Sequence, residues 1–413
     1  MQTELADFIR DTPAGREAEE ILRKCVHCGF CTATCPTYQL LGDELDGPRG
    51  RIYLMKQMLE GGEVSEKTRL HLDRCLTCRS CETTCPSGVH YSRLLDIGRA
   101  VAERKAPRGG VDALLRSVLK HFLPRSWLFA PAMKMGQAVR DYLPAALKAK
   151  VPAPQASGTW PPARHPRRML ALAGCVQPAM APNINTAAAR VLDRIGISLV
   201  TAPKAGCCGA VRLHLNDAEG ARDDARRNID AWWPLVNAEG GAEAIVMTAS
   251  GCGVQVRDYA HLLQGDARYE AKAARIALLT KDISEIVAAE GGRLLPLLAE
   301  RCADRPRTPL AFHSPCTLQH GQKIRGVVES LLTAAGFELT PVADSHLCCG
   351  SAGTYSVLQP ELSTRLRDNK LAALGAGRPV GVASANIGCI THLQSGTELP
   401  VRHWIEYLDE SLN

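Results

Sequence analysis

At 413 residues, with 46% apolar and 22% charged side chains, the chain holds enough apolar material for two or three ordinary cores and reads as globular, not disordered. Its formal charge of +6 is mild for this length, and the basic residues are scattered or sit in short linkers such as Arg164 to Arg168, so no nucleic-acid footprint is present. No apolar run approaches the ~18 residues of a spanning helix, so any membrane contact is expected to be peripheral.

The opening stretch MQTELADFIRDTPAG lacks the apolar core of a secretory signal, which points to the cytoplasm. In that reducing compartment seventeen cysteines, an odd number, argue for metal or cluster ligation over a disulfide framework.

Two runs in the first 105 residues carry eight of them. Each reads Cys-x2-Cys-x2-Cys-x3-Cys-Pro: Cys25, Cys28, Cys31 and Cys35 before Pro36, then Cys75, Cys78, Cys81 and Cys85 before Pro86. Two-residue gaps let three thiolates reach three iron corners of one cube, whereas the fourth lies too far along and reaches a second cube. The spacing therefore assigns Cys25, Cys28, Cys31 and Cys85 to one 4Fe-4S cluster and Cys75, Cys78, Cys81 and Cys35 to another. Zinc sites generally use paired CxxC knuckles, so iron is favoured. Between the runs, RGRIYLMKQMLEGG ends on two glycines and SEKTRLHLDR opens on a capping serine. Residues 1–105 are thus expected to form a helical ferredoxin-like domain.

Residues 106–165 read as a connector. Its first part predicts two or three amphipathic helices interrupted by Pro124, Pro131 and Pro144, whose Phe122, Trp127 and Phe129 could dock another subunit or a membrane face but are favoured to pack one domain on the next. The proline-rich VPAPQASGTWPPARHPRR then predicts a surface linker.

The rest is written twice, as 166–300 and 301–413. Cys175, Cys207, Cys208 and Cys252 recur as Cys316, Cys348, Cys349 and Cys389, at separations of 141 for the first three pairs and 137 for the last. In each copy strands such as RRMLALAG, ISLVTA and AIVMTAS, or TPLAFH, FELTPV and VGVASAN, alternate with helical segments and lead into the cysteines. That pattern predicts two Rossmann-like parallel sheets, each with a thiol patch beyond its strand ends and the two patches facing one another. Gly209 and Gly350 follow the cysteine pairs, where a sharp turn is needed. His313 and His346 flank cysteines, where an imidazole could depress a thiol pKa and assist thiolate or cluster chemistry, but the favoured reading is a polar histidine at a loop edge for each. Cys302 is read as packing.

There is no GxGxxG after a strand, no P-loop, no GxSxG and no HExxH. An electron carrier without a hydride acceptor needs a partner that has one.

The chain resembles the iron-sulfur subunits of bacterial glycolate oxidases, through CVHCGFCTATCPTYQLLGDELDGPRGRIYLMK and the two CCG words GCCGA and HLCCGS. The resemblance implies an α+β multidomain fold: a two-cluster domain followed by two CCG lobes. It implies an electron-transfer subunit of a flavin-dependent 2-hydroxyacid dehydrogenase complex, fed by glycolate or by D-lactate, with flavin-containing partner subunits. Electrons then go to a quinone or other acceptor, with peripheral inner-membrane contact, and this chain needs no substrate site of its own.

The CCG words also resemble those of heterodisulfide reductases and of the iron-sulfur subunits of lactate-utilisation and anaerobic glycerol-3-phosphate dehydrogenase systems, which keeps a thiol/disulfide enzyme as the alternative. In the reductases each lobe ends on CxxC; here Ala249 and Asn386 stand in the first place of that pair. A four-thiolate cluster and a quinone-facing thiol patch are the two readings left for the lobes.

Overall fold

A computed structural model describes residues 1–303 and 305–413. Short helices build the N-terminal region, and their ends follow from sequence. Thr12 accepts from the Gly15 amide to cap Pro13–Lys24, and Ser65 accepts from Thr68 to cap Glu66–Asp73. Helix Pro48–Leu59 ends before Gly61, whose φ is +96°. Met55, Leu59, Leu72, Leu94 and Leu95 meet in a core without exposed surface. Gly98 lets helix Tyr91–Lys105 approach closely, because a Cβ there would lie 2.4 Å from Met55 Sδ.

The connector forms helices Gly110–Phe122, Ser126–Ala138 and Ala145–Lys148. Pro124 and Pro144 fall between them as expected. Pro131 does not interrupt anything: it sits inside Ser126–Ala138, one lost amide bond being tolerated where Phe129 and Met133 pack on Ala179. Trp127 departs from the packing expectation, with 70% of its surface exposed. The proline-rich stretch has no regular structure, and Trp160 pins it by donating to Leu199 O at 3.0 Å.

Each lobe is a four-stranded parallel sheet. The first comprises β1 (Arg167–Ala171), β2 (Ile197–Thr201), β3 (Ile245–Met247) and β4 (Thr280–Asp282), in the order β2-β1-β3-β4. The second comprises β5 (Thr308–His313), β6 (Phe337–Leu339), β7 (Val382–Ser384) and β8 (Val401–His403), in the matching order β6-β5-β7-β8. Only the fourth strand of each escapes a sequence reading. Helix Asn183–Arg194 of the first lobe packs on Trp404–Ser411 of the second, and Val327–Ala334 of the second packs on Ile283–Ala289 of the first. This reciprocity makes a pseudo-twofold with one continuous core, in which Ile184, Val191, Val287, Leu332, Trp404 and Leu408 have no exposed surface. No described helix is long and apolar enough to cross a membrane.

Candidate cluster and thiol sites

The two cysteine runs fold alike. His27 and Gly29 in the first, and Thr77 and Arg79 in the second, take positive φ at equivalent places. Left-handed residues alternating with ordinary ones turn successive amides inward, a concavity suited to an anion such as a thiolate-bound cluster. At Gly29, φ is +88°, a backbone that glycine adopts without strain, and a Cβ there would push the Arg49 guanidinium aside, its Nη1 lying 2.8 Å away.

Cys25, Cys28 and Cys31 line a small cavity of about 30 Å³ together with Cys81 and Cys85 of the second run. Burial, then the neighbouring Cys25, pushes the Cys31 thiol up to about 11, with Cys35 and Cys85 adding. Cys28 is exposed beside Val26 and Phe30, so this end of the domain reaches the surface. Cys35 lies with the other three. Burial raises the Cys78 and Cys81 thiols well above the usual range, and Cys35 and Cys75 contribute to both. Thr77 N donates to Cys75 Sγ at 3.4 Å, and Thr37 Oγ1 lies 3.3 Å from Cys35 Sγ.

Arg51 and Asp46 sit beneath this second group and were not legible as site residues. Asp46 is fully buried, 3.4 Å from Arg51, 2.8 Å from Arg74 and 3.1 Å from His71. Burial works against the Arg51 charge, but Tyr91, Cys75, Cys35 and Asp46 hold it in place. Its Nη1 also donates to Thr37 Oγ1 at 3.2 Å.

The Cys78 thiol also feels Cys316, which carries the row into the second lobe. There Tyr355 donates to Arg74 O at 3.2 Å and His320 meets Thr83 at 3.1 Å, which fixes the N-terminal domain on this lobe. Cys316 Sγ lies 3.9 Å from Cys348 Sγ. Gly350 N donates to Cys348 Sγ and Gly209 N to Cys207 Sγ, both at 3.4 Å, so the turn after each pair aims an amide at sulfur.

A cavity of about 1450 Å³ takes in Cys78, all four first-lobe cysteines, and Cys316, Cys348 and Cys389. The two patches therefore open into one space. Ala249 is buried at its edge, whereas Asn386 does polar work: its Oδ1 accepts from Gly251 N at 3.2 Å and its Nδ2 donates to Cys389 Sγ at 3.6 Å.

His346 is half-buried in a loop, as its sequence suggests. His313 sits at the loop edge as the last residue of β5, but it is buried at 2% exposure, and that burial drives its imidazole down to about 3. Cys302 packs beside Gly336 and bonds Ala335 O at 3.4 Å.

The two N-terminal donor sets fit iron-sulfur clusters. Burial keeps the Cys31, Cys78 and Cys81 thiols protonated at neutral pH unless a cation draws them into the thiolate form, and inward amides suit the sulfurs of a bound cluster.

The chain matches the 4Fe-4S dicluster domain family over residues 21–89 and the cysteine-rich domain family over 169–257 and 310–394. It is 55% identical over 413 residues to the glycolate oxidase iron-sulfur subunit of Escherichia coli K12, covering 100% of this chain and 99% of that one. It is 29% identical to a probable glycolate oxidase iron-sulfur subunit of Bacillus subtilis 168, covering 93% and 90%. With lactate utilization protein A of Anoxybacillus flavithermus it shares 24% identity over 55% of this chain and 92% of that one.

Proposed function

The chain belongs to the family of glycolate oxidase iron-sulfur subunits, and on that premise we propose that it takes electrons from flavin-bearing subunits that oxidise glycolate to glyoxylate and delivers them to a quinone at the membrane face. The observation that carries this reading is the continuous row of thiols, from exposed Cys28 through Cys78 to Cys316 and the shared cavity.

Two 4Fe-4S clusters, when bound, accept and release single electrons. Cys25, Cys28, Cys31 and Cys85 hold one of them and Cys75, Cys78, Cys81 and Cys35 the other. Cys85 lining the cavity of Cys25, Cys28 and Cys31, and Cys35 acting on Cys78 and Cys81, support the crossing, while Cys81 at that cavity and Cys35 acting on Cys31 mark how close the two sets lie. Exposed Val26 and Phe30 make the first set the entry side for a partner. Arg51, a buried cation beside Cys35 and Cys75, favours the more negative, reduced state of the second site. Domain boundaries near 105, 165 and 300 suit the helical, connector and lobe segments.

Membrane contact is assigned to the connector. Val111, Leu114 and Val118 form an exposed apolar stripe on Gly110–Phe122, and Trp127 is exposed on the next helix. Lys120 and Lys134 on the same two helices suit an anionic lipid surface.

The test is anaerobic affinity isolation of the full chain from its native cell. Flavoproteins should come down with it, about eight irons per chain should be counted, and glycolate should bleach the clusters only when those partners are present. A chain that holds no reducible iron, or that reduces a small disulfide unaided, would overturn the reading.

A further inference from the structure

We propose that His313, Cys349 and Cys389 form the ligand set for a single zinc ion in the second lobe, a site that the first lobe does not have. A ring nitrogen of His313 and the two sulfurs all lie within 4.8 Å of one another. A tetrahedral ion with metal-sulfur bonds of about 2.3 Å and metal-nitrogen bonds of about 2.0 Å brings its ligand atoms to about 3.5–3.8 Å apart, so a small inward shift brings these three into place and leaves the fourth position for water. An iron-sulfur cube instead spreads its ligands over separate iron corners, which this tight triangle does not match.

The imidazole supplies an independent observation. His313 Nε2 is buried and has no hydrogen-bond partner, an arrangement that costs free energy unless something else occupies the nitrogen. Nitrogen plus two sulfurs is a donor set that borderline-soft zinc prefers.

The surroundings are those of a ligand site. Asn386 Nδ2 bonds Cys389 Sγ at 3.6 Å and orients it. Lys370 is 4% exposed and bonds Asp344 O at 2.7 Å. Burial disfavours its ammonium, whereas Cys349, Cys348 and Cys316 favour it, so its charge balances thiolates beyond the two that the ion neutralises. Cys389 also lines the large cavity, which gives the ion a path in.

In the first lobe the position 141 residues before His313 is Leu172, a buried apolar side chain. Among the described residues no first-lobe trio meets the same distance condition. The duplicated lobes therefore differ in what they bind. This inference goes beyond the electron-transfer reading and does not depend on which donor feeds the chain.

The test uses the full chain with its partners, isolated anaerobically, with zinc and iron measured on the same sample and zinc-edge X-ray absorption recorded. About one zinc per chain is expected beside the iron, with nitrogen and sulfur scatterers in the first shell. His313→Leu, which copies the first lobe, and Cys389→Ser should each reduce zinc affinity by more than about tenfold, since losing even an outer-shell partner of a ligand costs about 10–100-fold. Iron content and the reduced-cluster EPR signal should be unchanged, which also certifies folding. Cys252→Ser should keep the zinc. Zinc unchanged in His313→Leu would overturn the proposal, as would sulfur-only scattering in the unaltered protein, which needs no variant to fold. So would a second lobe filled by additional iron in place of zinc.

Discussion

Between the two lobes the backbone is held constant and the side chains at the strand ends are not. Leu172 in the first corresponds to His313 in the second, Ala249 to Asn386, and Asp282 at the end of β4 to His403 at the end of β8. Their outer faces differ as well. The first lobe covers its own sheet, with Ile229, Trp232, Tyr259 and Ile276 buried beneath its helices. The second is completed by the N-terminal domain, whose Leu76 packs against Cys348, Tyr355, Leu362 and Leu366. Duplication thus retained what a parallel sheet with a cysteine turn requires, namely the glycine, the four thiols and the strand order. Both copies touch the cluster domain, the first through polar contacts such as Arg79 with Asp258 and Asn216 with Glu103, the second through the apolar seat of Leu76.

The largest effect that should separate the lobes is on their tryptophans. Trp232 and Trp404 both have no exposed surface, and Trp→Ala at such sites costs about 3–5 kcal/mol. Trp404→Ala should also loosen Asn183–Arg194 of the other lobe, because both belong to the shared core, whereas Trp232→Ala should stay confined to the first lobe. Hydrogen exchange resolved by segment reads the difference; equal spread from both sites would contradict a core shared across the pseudo-twofold.

Next comes the docking of the cluster domain. Leu76→Ala should cost about 2–4 kcal/mol and expose Tyr355 to Leu366 to protease while leaving the first lobe protected. Cleavage that starts in Ala218–Val236 instead would place the weak seam elsewhere.

A smaller effect compares the turn glycines. Gly350 has φ +87°, and an added Cβ would sit 2.6 Å from Ser363 O; Gly209 has φ +92°, with 3.0 Å to Ala221 O. Gly→Ala should therefore destabilise both, by about 1–3 kcal/mol, and more at Gly350. Urea midpoints decide the ranking.

Much of this was legible in the sequence because spacing encodes it. The crossed runs, the 141-residue repeat and three strands per lobe come from cysteine positions and apolar alternation. β4 and β8 were hidden because TKD and VRH are three residues long and mostly polar. The overlooked signal was a capping pattern, Asp282 with Glu285 and His403 with Glu406. Arg51 was hidden differently: a helix reading of RGRIYLMK cannot tell that its guanidinium is buried against Asp46, since that contact is tertiary. The burial of His313 was hidden because a strand reading of TPLAFH does not tell which elements cover its last residue.

The smallest predicted effect turns on those two caps, which respond to acid in opposite senses. Burial depresses the His403 imidazole to about 3, although the Thr248 carbonyl, accepting from Nε2 at 2.8 Å, resists this. Its Nδ1 accepts from Ile405 N at 3.1 Å, so a second ring proton would abolish the cap. Below its ordinary value of 6.5 the unfolded chain takes up that proton first, and the stability His403 contributes is lost as pH falls from 6.5 toward 3. Asp282 is raised to about 6 by burial, with Ser284 opposing, so the folded chain binds its proton first and its contribution is lost as pH rises from 3.8 to 6. His403→Asn keeps a capping side chain and removes the titration. Relative to the unaltered protein it should recover about 2 kcal/mol of the stability lost between pH 6.5 and 5, from about 1.4 kcal/mol per unit. Asp282→Asn should do the reverse, removing a gain on acidification. Anaerobic urea titrations at closely spaced pH values measure both; parallel acid slopes for the two variants would show that the caps, despite their shared geometry, do not set the pH response of either lobe.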